Sequence, residues 1–418
     1  MHSESLHRLV KLLIDTGEAS SIGEAFENFD RYGVKIRIGC LERDRVGTQI
    51  IALTAINCAS RCFRGNVAVE SDDFELTTPG FQGTRLYEFL NWAGIRKERA
   101  QAMGRWPRIV INGQATEDRD LVAWADRWRF GIGKIRDYVP DFVPACVGAA
   151  ALAVSEAFSI LRGDNACAGR RDLSLSLWEP AAPHIPALDN IEIPPQGALW
   201  LIGLGHLGQA YAWTLGFMSP GKEPVFLQDI DTVSESTLST SMLSQRADLG
   251  HRKTRVVSRW LESCGYRTAL IERRFDETQR IRPEEPATAL FGVDNVAARR
   301  VSESAGYRLM VDAGLGSGPH DFRAFRLRAF PGPANAAQLW ASEPNSELVL
   351  APAYERLLET TSDACGVTTL ASRAVGAPFV GCFAAAYAVA ERVRRQIGGP
   401  ALGFLDLHMR EPERFDVG

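Results

Sequence analysis

Two hydrophobic patterns alternate along the chain, and the order repeats. In the C-terminal half an unbroken apolar run, residues 198–203, leads into a glycine-rich turn. A helical pattern at about 206–217 and a second apolar run at 224–230 follow. A continuous apolar run beside a helical period predicts a buried parallel strand feeding a helix, the βαβ unit of an α/β fold. The N-terminal half offers the same order: strand VKIRIG (34–39), helix TQIIALTAINCASRCF (48–63) and strand NVAVES (66–71), with RIVING (108–113) as a further strand. Each half then closes on a helix of small residues, VGAAALAVSEAF (147–158) and VGCFAAAYAVAERV (380–393). The parallel order suggests an internal duplication.

Residues 5–29 carry Leu6, Leu9, Val10, Leu13 and Ile14 on one helical face, which predicts an N-terminal helical segment. Five prolines between 180 and 195 break both periods, so 171–196 reads as a linker or extended crossing segment. The expected layout is therefore a helical segment over 1–30, a first α/β half over 31–170, that linker, and a second half over 197–418. The second half holds a weakly patterned crossover stretch at about 332–374.

Only the second half keeps a phosphate-type turn. Gly203-x-Gly205-x-x-Gly208 follows the apolar strand and opens the helix, whereas IGCLERDRVG at the matching place in the first half has no such spacing. Asp229 stands twenty-one residues after Gly208 at the end of the next strand, where a carboxylate can bond a ribose hydroxyl. NAD and ATP both fit that much. Lys253 lies twenty-four residues further on, among Arg246, Arg252 and Arg255, and Asp294 follows another apolar strand. Mobile cations suit a triphosphate, and a carboxylate at the strand ends can hold Mg²⁺. Together they favour MgATP over a dinucleotide and leave an NAD-dependent oxidoreductase the weaker reading.

Composition changes this picture little. The 418 residues are 45% hydrophobic and 23% charged with a formal net charge of −4, which offers no electrostatic case for nucleic acid or an anionic membrane as main partner. The apolar stretches 143–161 and 375–391 read as too short or too interrupted to cross a bilayer, and Met1-His2-Ser3-Glu4 lacks a signal peptide's start. A cytoplasmic location is expected. Eight cysteines form no C-x-x-C pair, so no zinc is expected.

GLGHLG, DIDTV, the GHRK lysine and VDNVAARR, in this order, resemble the ubiquitin-activating-enzyme-like adenylyltransferases, the ThiF/MoeB/HesA family, over residues 197–393. The resemblance implies a Rossmann-like adenylation fold, duplicated here as an inactive N-terminal and an active C-terminal half, a pseudo-dimer in one chain. It implies that Asp229 holds the ribose, Lys253 contacts the phosphates, Asp294 ligates Mg²⁺, and Asp231, Arg252 and Asn295 join the nucleotide set. The implied partners are a ubiquitin-like protein, adenylated on its C-terminal glycine, and a conjugating enzyme. Association with further copies of the chain stays open.

The chain departs from the family where S-N-L-x-R is usual: Ser236-Thr237-Leu238-Ser239-Thr240 replaces both asparagine and arginine by threonine. Arg252 or Arg246, with Arg31 from the first half, is expected to make up the lost charge. Cys365, at the end of the crossover stretch, is the candidate nucleophile for an acyl thioester, while Cys382 in the Ala-rich helix reads as core packing. The alternatives are adenylation for sulfur transfer or for peptide or tRNA modification without that thioester, and a catalytically dead scaffold.

Overall fold

The computed structural model describes residues 6–40, 43–95, 106–134, 138–182, 191–316, 318–341, 354, 355, 367, 371 and 374–418. Two helices, α1 (Val10–Asp15) and α2 (Ile22–Phe29), precede the first sheet. The sequence suggested one helical run here. The chain breaks it because Gly17 takes a left-handed φ of +74° and Ser21 restarts a helix by accepting the Glu24 N–H.

The first half contains β1 (Val34–Ile38), α3 (Val46–Cys62), β2 (Val67–Glu70), α4 (Leu86–Trp92), β3 (Arg108–Ile111), β4 (Asp120–Asp126), β5 (Arg129–Ile132), α5 (Val143–Arg162) and β6 (Leu173–Ser176). The second contains β7 (Leu199–Ile202), α6 (His206–Gly216), β8 (Val225–Gln228), α7 (Lys253–Ser263), β9 (Thr268–Ile271), β10 (Thr288–Phe291) and α8 (Val296–Arg300). After these come β11 (Leu309–Leu315), β12 (Ala324–Phe330), α9 (Ala336–Leu339), α10 (Pro378–Gln396), β13 (Phe404–His408) and β14 (Phe415–Val417).

The sheets repeat one topology. The first runs β2-β1-β3-β4-β5-β6; the second contains β8-β7-β10-β11-β12-β13 and adds β9 at one edge and β14 at the other. The first three pairings in each series are parallel and the last two antiparallel. The same strand order with the same sense in both halves gives the duplication a structural form. The expected linker begins later than its residues suggested. Leu173 and Leu175 alternate with serines ahead of the first proline, and they pair β6 onto β5.

The halves join through a helix layer, α3 and α5 from one packing on α6 and α10 from the other. Trp213 Nε1 donates to Thr54 Oγ1 at 3.0 Å across it, and Phe158 meets Phe379 and Phe130 meets Phe383. A single buried cluster runs through both halves. The membrane expectation needs one correction: α5 is long and apolar enough to cross a bilayer. Its apolar surface is instead covered by protein, because both its faces are used, one by β4 and β5 and another by α3 and α10.

Candidate nucleotide site

All four residues of β7 are buried, as a strand flanked by parallel neighbours on both sides requires. Register does the assembling. Ile202 lies opposite Gln228 of β8 and Phe291 of β10, so the residues after them, Gly203, Asp229 and Gly292, leave the same carboxyl edge. Such an edge is where open α/β sheets bind ligands.

The three glycines do different work. Gly203 has φ +79°, and a Cβ there would stand 2.9 Å from the Gly292 carbonyl. A Cβ on Gly208 would come within 2.0 Å of the Gly203 oxygen, so this glycine lets α6 pack on its own turn. A Cβ on Gly205 would meet no protein atom within 4 Å. That open position at the N-terminal end of a helix suits an anion.

Asp229 fastens the turn. Its Oδ2 accepts the Leu204 N–H at 2.6 Å and its Oδ1 the Asp231 N–H at 2.7 Å. Burial pushes its pKa up, while Lys253 and those N–H groups pull it back. Lys253, the first residue of α7, places Nζ 2.9 Å from Asp231 Oδ2. Asp294 is exposed, and among the described residues its carboxylate makes no hydrogen bond or ion pair. Asn295 caps α8 by accepting the Ala298 N–H at 3.2 Å. Arg252 turns its guanidinium to the Ile230 carbonyl.

The structure thus brings Gly203, Gly205, Gly208, Asp229, Asp231, Lys253 and Asp294 to one edge. It does not bring Arg31 there: that residue is exposed, and its carbonyl accepts Trp106 Nε1 within the first half. The arginine from the N-terminal segment that reaches the second half is Arg8, whose backbone N–H donates to Ser239 Oγ and whose Nη1 donates to the Ala374 carbonyl at 2.9 Å. Arg246 is exposed. Thr237 bonds Ser234 within its own turn, and Thr240 is buried beside Gly376. Cys365 lies outside the described residues. Cys382 is buried with Sγ 3.6 Å from Cys58 Sγ, across the helix layer.

Several groups here escaped the sequence reading. His206 opens α6 half-buried, and desolvation lowers its pKa to about 4, so the ring is neutral near pH 7. Gln209 Nε2 donates to the Leu204 carbonyl at 3.2 Å, and its Oε1 accepts the Leu243 and Ser244 N–H groups. From the first half, Arg61 reaches carbonyls of the 238–244 segment. The signal for Arg61 was present: it is the one charged residue of α3, four positions after Asn57.

The comparisons follow the two halves. A family model described as the BilD N-terminal domain matches residues 33–177, and one described as the BilD C-terminal domain matches 195–399. The bacterial E1-like protein BilD of Collimonas sp. (strain OK412) is 38% identical over 423 residues, covering 96% of this chain and 90% of that relative. The chain belongs to the BilD family. Among solved structures, E. coli MccB is 13% identical, with 72% of this chain and 92% of that chain covered at a TM-score of 0.40. E. coli tRNA N6-threonylcarbamoyladenosine dehydratase, TcdA, is 14% identical, covering 48% and 85% at 0.33. The turn and carboxylates described above all lie inside the match to the BilD C-terminal domain.

Among the described residues no group of three or more His, Cys, Asp or Glu side chains could hold a metal ion. Magnesium in nucleotide sites needs less: one or two carboxylates, with phosphates and water completing its shell. Asp294, at the strand ends and without a hydrogen bond or ion pair among the described residues, fits that role.

Proposed function

We propose that the C-terminal half activates the C-terminal carboxylate of a ubiquitin-like protein by adenylation, and that Cys365 then accepts the acyl group. The observation that supports this most is the open space at Gly205 with Asp229, Lys253 and Asp294 around the same strand ends. The E1-like name of the relative agrees with it. ATP is the first substrate. Its ribose lies toward Asp229, and its α-phosphate toward the turn between Gly203 and Gly208. A carboxylate oxygen of the protein substrate attacks the α-phosphorus, the bond to pyrophosphate breaks, and an acyl adenylate forms. Lys253 exchanges Asp231 for the departing phosphates. A magnesium ion, when bound, neutralises phosphate charge beside Asp294. The Cys365 thiol then loses its proton to solvent, its sulfur attacks the acyl carbon, and AMP leaves.

ATP–pyrophosphate exchange with candidate ubiquitin-like proteins, followed by a non-reducing gel, tests the two steps separately. Cys365→Ala is expected to keep exchange near the parent rate and to lose the reducible adduct. Exchange without an adduct in the parent would assign the enzyme to adenylation without a conjugation thioester. No exchange with any carrier would favour a scaffold.

Gly205→Ala separates ligand space from packing. The new methyl enters open space, so the fold should lose only the modest cost of alanine at a helix N-cap, and the unfolding midpoint should fall by no more than about 3 °C. Nucleotide binding, measured by calorimetry, should weaken at least tenfold, a change of about 1.4 kcal/mol.

A further inference from the structure

Arg61 is a buried cation that makes no hydrogen bond to a carboxylate among the described residues. It lies at the C-terminal end of α3, in the half without a glycine turn, and is 9% exposed. Its Nε donates to Asn57 Oδ1 at 2.8 Å on the same helix. Its other donors cross to the second half: Nη1 to the Leu238 and Ser244 carbonyls at 3.0 and 2.9 Å, and Nη2 to the Met242 carbonyl at 3.0 Å. Asn57 Nδ2 adds a second bond to the Met242 carbonyl at 2.9 Å. Burial lowers the Arg61 pKa only to about 10, so the guanidinium stays charged near pH 7.

The carbonyls it grips lie on a segment tied to the nucleotide turn. Gln209 Oε1 accepts the Leu243 and Ser244 N–H groups, each at 3.0 Å, and its Nε2 donates to the Leu204 carbonyl between Gly203 and Gly205. A planar guanidinium offers five donors in a fixed fork, and three carbonyls converging on one cannot be served as well by an ammonium. Removing it would take the guanidinium donor from the Leu238 and Ser244 carbonyls and leave the Met242 carbonyl with Asn57 Nδ2 alone.

We infer that Arg61 is a positioning residue for the glycine turn of the other half, acting through the 238–244 segment and Gln209. Its bearing on nucleotide binding rests on the proposed function. The role explains why a half lacking its own phosphate turn still carries a buried arginine aimed across the helix layer. The sequence between Ser236 and Ser244, having threonine where the related family keeps arginine, is held from outside instead.

The test compares Arg61→Lys with Thr54→Val. Thr54 lies on the same helix and bonds Trp213 across the same layer, toward the C-terminal end of α6, and among the described residues it makes no hydrogen bond to the 203–208 turn or the 238–244 segment. In Arg61→Lys, peptides spanning 203–209 and 238–244 should exchange amide hydrogens about tenfold faster, and the ATP dissociation constant should rise about tenfold, as loss of a charged hydrogen bond implies. Thr54→Val should lower the unfolding midpoint while leaving exchange in both peptides and ATP affinity within about twofold of the parent. Unchanged exchange in Arg61→Lys, or the same pattern in Thr54→Val, overturns the inference. Should the lysine variant not fold, Asn57→Ser, which removes one bond to Met242 and the acceptor for Arg61 Nε, is read by the same measurements. If the parent binds no ATP, the proposed function fails, and the exchange comparison still decides the role of Arg61.

Discussion

Asp294→Ala is expected to reduce ATP–pyrophosphate exchange by roughly 10²- to 10³-fold, the usual cost of removing one group that stabilises charge at a phosphoryl centre. The fold should not notice. Among the described residues the Asp294 carboxylate has no hydrogen bond or ion pair, and Asn295 alone caps α8. The unfolding midpoint should therefore stay within about 1 °C, as for other exposed substitutions that break no contact. Raising magnesium should recover part of the loss, since the ion keeps its phosphate and water ligands. Lys253→Met makes a useful contrast, because it also strips the partner from Asp231 and removes one of the attractions that hold down the pKa of Asp229. Full exchange in Asp294→Ala would remove this carboxylate from the phosphate site.

The second large effect concerns pH and a residue on the neighbouring strand. Asp312 on β11 lies opposite Phe291 in the register, is 1% exposed, and faces Arg299 Nε at 3.3 Å. Burial raises its pKa from 3.8 to about 6, against the pull of Arg299 and then Arg328. Desolvation outweighs attraction, as it often does for buried ion pairs. Between pH 3.8 and about 6 the folded chain holds a proton that the unfolded chain has released. Stability from this group is therefore greatest at low pH and falls as pH rises through that window. The rise from 3.8 to about 6 corresponds to about 3 kcal/mol. Asp312→Asn, which imitates the protonated acid, should match the parent near pH 4 and exceed its unfolding free energy by about 3 kcal/mol near pH 7. Denaturant titrations of both chains at the two pH values check this. A variant less stable than the parent at pH 7 would mean that the ion pair, not burial, dominates.

The parallel strands and the glycine turn were legible in the sequence because their signals are local: an apolar run, a spacing, a carboxylate at a strand end. That Gly203, Asp229 and Asp294 leave one edge was readable for the same reason, since strand ends in a parallel sheet share an edge, while Lys253 comes there on the first turn of α7. What stayed hidden depends on contacts between distant parts of the chain. Arg31 looked well placed because it precedes β1, yet Arg8, further back, is the one that crosses to Ser239 and Ala374. Gly17 and Ser21 divided a helix whose apolar face gave no hint of the break. The strand β6 was masked by the prolines that follow it. The apolar length of α5 cannot reveal whether lipid or protein covers it; only its neighbours in the helix layer do.

That helix layer also governs how defects combine. When such a layer joins separate subunits, its formation depends on dilution, and a damaged copy can borrow an intact surface from another. Here α3 and α5 are covalently tied to α6 and α10, so each half meets its mate at a local concentration fixed by the connecting chain. A lesion at Arg61 on one molecule and a lesion at Gly208 on another therefore do not complement each other in a mixture. Each polypeptide carries its own supporting half, and it keeps or loses its single glycine turn alone.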